Sequence, residues 1–207
     1  MQLKKYVLPP LATNCYLIGD SQLTVIDPAL GSAVKILQQL AELSRPIDKI
    51  LLTHSHFDHV ADLKKLHEKT GAPIYIHEKD AGNLERPGSD GVPQLIEVEP
   101  VIPQYFLAHG DSLTIDGVEV EVLHTPGQSP GGLCFFLPTE KWLFSGDTLF
   151  KKTMGAISFP TSNVNDMCQS LRKLAKLPKD TTVWPGHGPP TSIGEEPWLQ
   201  EPEKLLF

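Results

Sequence analysis

The run Thr53-His54-Ser55-His56-Phe57-Asp58-His59 sits between Lys49-Ile50-Leu51-Leu52 and a segment from Ala61 to Lys69. KILLT, at 49–53, has the unbroken apolar character of a buried strand, whereas Leu63 and Leu66 return at helical spacing and face one way. Three imidazoles and one carboxylate therefore occupy a strand-to-helix connection. In an extended segment His54 and His56, two apart, project the same way, while Asp58 and His59 begin the turn into the helix. Imidazole and carboxylate suit zinc, iron or manganese. The absence of cysteine argues for open coordination positions rather than a closed structural zinc site.

The neighbouring segments extend this strand-then-helix pattern in both directions. Upstream, VLPP after Tyr6, CYLIG at Cys15 to Gly19 and LTVID at Leu23 to Asp27 read as strands bounded by turn residues. From Ser32, the residues Val34, Ile36, Leu37, Leu40 and Leu43 follow a helical rhythm, with Ser32 as the cap and Pro46 beyond the end. Downstream, a strand at Pro73 to Ile76 and a helical stretch at Glu78 to Leu84 precede an irregular segment, 86–104. That segment carries prolines at 87, 93, 100 and 103 and is a candidate loop over a site. Strands then resume at 112–115 and 118–123, joined by Asp116-Gly117 as a hairpin turn, followed by 133–137 and 142–144. A helix over Asp166 to Leu177, with Met167, Leu171, Leu174 and Leu177 on one stripe, precedes a last strand at Thr182 to Trp184. Two similar halves, each feeding an outer helix from inner strands, predict an α/β (α+β) fold: a four-layer αββα sandwich spanning residues 1–207 as one domain.

Composition excludes several functions. The chain has 207 residues, 40% hydrophobic and 21% charged, which suits an ordinary globular core. A net charge of -7, with no long Lys/Arg stretch, argues against nucleic acid as a partner. No run of about 18 apolar residues predicts a membrane span, and the N-terminus lacks a signal-type apolar region. Cys15, Cys134 and Cys168 show no CxxC spacing and predict neither disulfides nor a cysteine zinc knuckle, which fits a cytoplasmic protein. Cys15 and Cys134 fall in strands and are expected in the core.

Three further segments place a metal-type residue at a strand end beside glycine or proline. These are Leu123-His124-Thr125-Pro126-Gly127, Ser145-Gly146-Asp147-Thr148 and Trp184-Pro185-Gly186-His187-Gly188-Pro189. Strand ends of a sandwich gather on one rim, where loop-borne sites are built. Asp147 is the natural bridging carboxylate, since its two oxygens can hold cations about 3.5 to 4 Å apart.

THSHFDH at 53–59, HTPGQSPGG at 124–132, GDTLF at 146–150 and PGHGP at 185–189, in this order, resemble the metallo-β-lactamase superfamily. The closest branch in pattern is that of short, single-domain glyoxalase II enzymes. The resemblance runs from NCYLI at Asn14 through VIDP at Val25 to EEPWL near the C-terminus. It implies the metallo-β-lactamase fold and two divalent cations, zinc first, with iron or manganese as alternatives. His54, His56 and His124 would bind one ion; Asp58, His59 and His187 would bind the other; Asp147 would bridge them. A hydroxide shared by the ions would be the nucleophile, oriented by Asp58 as the catalytic residue. The implied reaction is hydrolysis of a small thioester of the S-lactoylglutathione type, by a monomer or homodimer. A thiolate leaving group needs less help from a general acid than an amine.

The chain departs from that family at three points. Gln128 replaces a common second histidine of the third motif, and the sequence predicts that His124 serves as the ligand regardless. Lys151 to Phe159 lacks the arginine loop of many relatives, and the 18 residues after PGHGP leave no helical glutathione-binding domain. The alternative reading is a mononuclear non-haem iron persulfide dioxygenase of the same fold, using His54, His124 and Asp147; β-lactam and nucleic-acid hydrolysis are weaker alternatives. His67, His77 and His109 are expected to be structural or solvated. Asp27, before Pro28, is equally a turn carboxylate or a neighbour of the site. Lys151 and Lys152 read as a solvated face.

Overall fold

In the computed structural model, which describes residues 1–206, two six-stranded sheets pack face to face with helices on their outer sides. The first half contributes Leu3–Leu8 (β1), Thr13–Ile18 (β2), Leu23–Ile26 (β3), Ser32–Leu43 (α1), Ile47–Leu51 (β4), Phe57–Val60 (α2), Leu63–Thr70 (α3), Ile74–Ile76 (β5), Glu78–Glu85 (α4) and Tyr105–Phe106 (β6). The second contributes Ser112–Ile115 (β7), Val118–His124 (β8), Leu133–Leu137 (β9), Trp142–Gly146 (β10), Leu149–Phe150 (β11), Thr153–Met154 (β12), Val164–Leu174 (α5), Thr182–Pro185 (β13) and Thr191–Ser192 (β14). The sheet orders are β1-β2-β3-β4-β5-β6 and β14-β13-β10-β9-β8-β7, with β11-β12 a separate hairpin.

The layering follows from side-chain alternation in strands buried on both faces. In β2, Cys15 and Leu17 enter the core between the first sheet and its helices, whereas Tyr16 and Ile18 enter the core between the sheets. In β9, Leu133, Phe135 and Leu137 join that central core, and Cys134 and Phe136 face α5. Three stacked apolar cores thus separate four layers, the αββα sandwich expected from the sequence. The central core holds Phe135, Phe144 and Tyr16, all fully buried, with Tyr16 edge-on to Phe144 at 5.1 Å between ring centres.

Two local expectations change. Ser32 is the first residue of α1, not its cap; Gly31 takes that place at φ +84°, which glycine adopts without steric cost. Helix α5 starts earlier, because Asn163 accepts a hydrogen bond from Asp166 N at 3.0 Å and caps it, and its last residue is Leu174. Leu177 lies beyond the helix yet still packs against the same core.

Candidate metal centre

All four motifs follow directly from strand ends: β4 leads into 53–59, β8 ends at His124, β10 ends at Gly146 and β13 ends at Pro185. The rim is tied across the two sheets, with Leu133 N donating to Thr53 O at 2.7 Å. The N-terminal NCYLI segment clamps the last motif. Asn14 N donates to Gly186 O at 2.7 Å, and its Nδ2 donates to Pro185 O at 2.8 Å and Gly188 O at 3.0 Å.

This clamp aims His187 at a buried acidic cluster. His187 Nε2 lies 3.1 Å from Asp58 Oδ2, 3.6 Å from Asp147 Oδ2 and 3.2 Å from His59 Nε2. His59 Nε2 lies 3.4 Å from Asp147 Oδ1 and 3.6 Å from Asp58 Oδ2. Asp58, His59 and His187 each offer an atom within 4.8 Å of the others, a spacing that one cation can span. Gly186 is required here, because a Cβ would stand 2.2 Å from Asp147 Oδ1 and 2.7 Å from His59 Cε1.

Hydrogen bonds on the far ring nitrogens set which nitrogen each imidazole presents. Asp27, fully buried at φ +52°, accepts from Thr53 N at 2.8 Å, Thr53 Oγ1 at 2.6 Å and His59 Nδ1 at 3.0 Å. The Thr53 hydroxyl, having donated to Asp27, accepts from His54 Nδ1 at 3.0 Å. His187 Nδ1 donates to Leu11 O at 3.1 Å. Three rings therefore turn Nε2 lone pairs into the site, the arrangement that carboxylates and carbonyls behind a metal-ligating histidine produce. Asp27 is thus the neighbour of the site, not merely a turn carboxylate.

The electrostatics match. Burial opposes charge on His59, yet Asp58, Asp147 and Asp27 overcome it and hold this imidazole well above its usual range. Burial likewise opposes charge on Asp58 and Asp147, but the adjacent histidines keep both carboxyls well below theirs. His54 is driven far down by burial, then by His59 and His56. The carboxylates are anionic and His54 neutral, as a cation requires; on His59 and His187 the acidic cluster favours a positive charge against the pull of burial, the charge that a bound cation would replace. His54 Nε2, Gln128 Oε1 and Asp147 Oδ1 are buried without a hydrogen-bond partner, whereas His56 turns Nδ1 to this side and its Nε2 lies 4.0 Å from Asp90 Oδ2. Orphaned lone pairs at such a cluster fit divalent ions.

His124 is the correction. Its Nε2 is bonded to Pro130 O at 2.9 Å, and its half-buried ring stacks on His77 at 4.1 Å between centres. Gln128 stands where His124 was expected, with Nε2 3.0 Å from His56 Nδ1 and 2.9 Å from Asp147 Oδ2. The ring two residues before Pro126 leaves along β8, whereas the loop after Gly127 (φ +154°) doubles back over the site. A Cβ at Gly127 would stand 2.6 Å from Met167 Cα, so the loop lies tight against α5. The two-histidine, one-carboxylate triad of the dioxygenase alternative loses His124 with this placement. His77 is structural: its Nδ1 accepts from Lys79 N at 3.1 Å and caps α4. Lys151 and Lys152 form the exposed turn of the β11-β12 hairpin.

A pocket of about 220 Å³ opens beside Asp58, Asp147 and His187, walled by Leu11, Phe57, Val92, Phe150, Ala156 and Phe159. Val92 comes from the irregular segment 86–104, which therefore does overlie the site. No lysine or arginine among the described residues lines this pocket. Among the described residues, no helix is long and apolar enough to cross a membrane.

The family model of the metallo-beta-lactamase superfamily matches residues 8–187. The chain is 35% identical to "Hydroxyacylglutathione hydrolase GloC" of Haemophilus influenzae, over 88% of this chain and 89% of that protein. Among solved structures it resembles BLEG-1, described as a B3 metallo-beta-lactamase, with a TM-score of 0.88 and 32% identity, covering 96% of this chain and 99% of that one. It also resembles TTHA1623 in a di-iron-bound form, with a TM-score of 0.82 and 35% identity, covering 93% and 96%.

Proposed function

The chain belongs to the metallo-β-lactamase superfamily, and we propose that it is a binuclear metal-dependent hydrolase that cleaves small thioesters. The observation that carries this reading is the cluster of Asp58, His59, His187 and Asp147, with the unpartnered Nε2 of His54 beside it. Asp58, His59 and His187 would hold one divalent ion, His54 and His56 the other, and Asp147 would lie between them. Bound there, divalent ions would supply a water acidic near neutral pH and polarise the substrate carbonyl.

The chain's own groups do the rest. Asp27 and Thr53 fix the rings of His54 and His59. Thr13 Oγ1 donates to Asp58 Oδ2 at 2.8 Å, so one carboxylate oxygen is held while the group remains able to orient an attacking water. The apolar walls around Phe57 and Phe159 offer room for a short acyl group. The leaving thiolate departs without a dedicated acid, consistent with the absence of lysine in the pocket lining. The relative named as a hydroxyacylglutathione hydrolase supports S-lactoylglutathione as the first substrate to try; a di-iron structural relative supports iron beside zinc.

The test is thiol release from a panel of S-acyl glutathione and acyl coenzyme A esters, with a chromogenic β-lactam alongside. Cleavage of at least one thioester, abolished by chelation and by His54→Ala or Asp147→Ala, is expected. Full activity in both variants, or turnover of the β-lactam alone, refutes it.

A further inference from the structure

The two halves of the centre are unequal in donor chemistry. On one side stand two imidazoles and a carboxylate, His59, His187 and Asp58, preassembled within 4.8 Å. On the other stand His54 and His56, and the third side chain is the neutral carboxamide of Gln128. That amide is buried and locked: its backbone O accepts from Ser162 Oγ at 2.8 Å, and Nε2 bridges His56 Nδ1 and Asp147 Oδ2. Its Oε1 has no partner and lies against Gly155, where a Cβ would stand 2.1 Å away. Turning the amide end for end presents Oε1 to the space between His56 and Asp147, since its two ends differ only in donor character.

Resting on the metal-centre reading above, we propose that Gln128 is itself a ligand, through its amide oxygen, and that it makes the His54–His56 position a weak, exchangeable metal site beside a tight Asp58–His59–His187 site. An uncharged amide oxygen is a poorer donor than imidazole to zinc, iron or cobalt. It brings neither the charge of a carboxylate nor the basicity of a ring nitrogen. The tight position keeps two imidazoles and two carboxylates when Asp147 is counted. Occupancy of the second position, and with it the binuclear state, then follows the free metal concentration.

The experiment is a chelator-competition titration of the metal-free protein with zinc, with metal counted by mass spectrometry after gel filtration and cobalt absorption as an independent readout. Wild type is expected to retain about one ion per chain, and to bind the second about 10- to 100-fold more weakly, the range over which a changed ligand environment shifts affinity. Gln128→His should bring the second ion into tight binding. Gln128→Ala should weaken it further, and His187→Ala should remove the tight ion. Two ions of like affinity in wild type overturn the inference, as does a Gln128→Ala protein that binds the second ion more tightly. A wild type that binds no ion at all would instead refute the metal-centre reading itself.

Discussion

Asp27→Asn separates orientation from mere presence of the histidines. Asparagine accepts the left-handed backbone at this position, φ +52°, so the change leaves the chain path unstrained. Oδ1 can still accept from Thr53 N, but the group replacing Oδ2 is an NH2 that faces the Thr53 hydroxyl and His59 Nδ1. Two donors cannot share that contact. His59 must move its proton to Nε2, the atom that faces Asp58, Asp147 and His187, and a protonated Nε2 is no ligand. Through Thr53 the same change disturbs His54. Exchanging two charge-assisted hydrogen bonds for one neutral bond costs about 2 kcal/mol, and a chain of this size loses about 2–4 °C in Tm per kcal/mol. The metal-free variant should therefore melt about 4–8 °C lower by that scale. Loss of the oriented ring should weaken metal binding by about 10- to 100-fold. Thermal melts with chelator and competition against a metal-binding dye give both numbers. A variant that binds metal within twofold of wild type would show that Asp27 does not set the protonation of His59.

Three other outcomes follow from the geometry. His124→Ala should keep the wild-type metal content while losing about 1–2 kcal/mol from its bond to Pro130 O and its stacking on His77; loss of an ion on elemental analysis would restore it as a ligand. Gly186→Ala should fold, by circular dichroism, yet lose metal by about 10-fold or more as its Cβ displaces Asp147; unchanged affinity would mean the carboxylate has other room. Burial, then the faces of His124 and Lys79, hold His77 at about 4, and burial lowers His124 too. Because the folded values lie below the unfolded one near 6.5, the unfolded chain takes up protons more readily below pH 6.5. The contribution of these two rings to metal-free stability should thus be intact above about pH 6.5 and erode toward pH 4, modestly, since both are half-exposed. His77→Asn keeps the helix cap and removes one titration, so its melting temperature should fall less between pH 7 and 5; an equal fall would contradict this.

The fold was legible because both-sided strands announce themselves. NCYLI and LCFFL carry apolar residues at successive positions, and only a strand covered on both faces uses them all. The short pieces β6, β11, β12 and β14 carry no such signal, since two residues show no period and their pairing depends on distant partners. At the site, spacing within THSHFDH reflected local geometry. The third motif did not yield to the same reasoning. His124 and Gln128 are both polar residues around a Pro-Gly turn, and which one faces His56 depends on how that turn folds against α5. Residue type favoured the histidine, and backbone direction favoured the glutamine. Asp27 was ambiguous for a similar reason: its partners Thr53 and His59 lie 26 and 32 residues away.

The clamp that Asn14 places on Pro185 and Gly188 has a further consequence. The sandwich is assembled from two consecutive halves of the chain, yet His187 is aimed by residues near the beginning, Leu11 and Asn14, at carboxylates from both halves. Neither half owns a complete cluster. Two fragments divided in the loop between β6 and β7 would each carry orphaned ligands, and only their reassociation would rebuild the cluster. A divalent ion would then act as a cross-half fastener, making complementation of such fragments a metal-gated event.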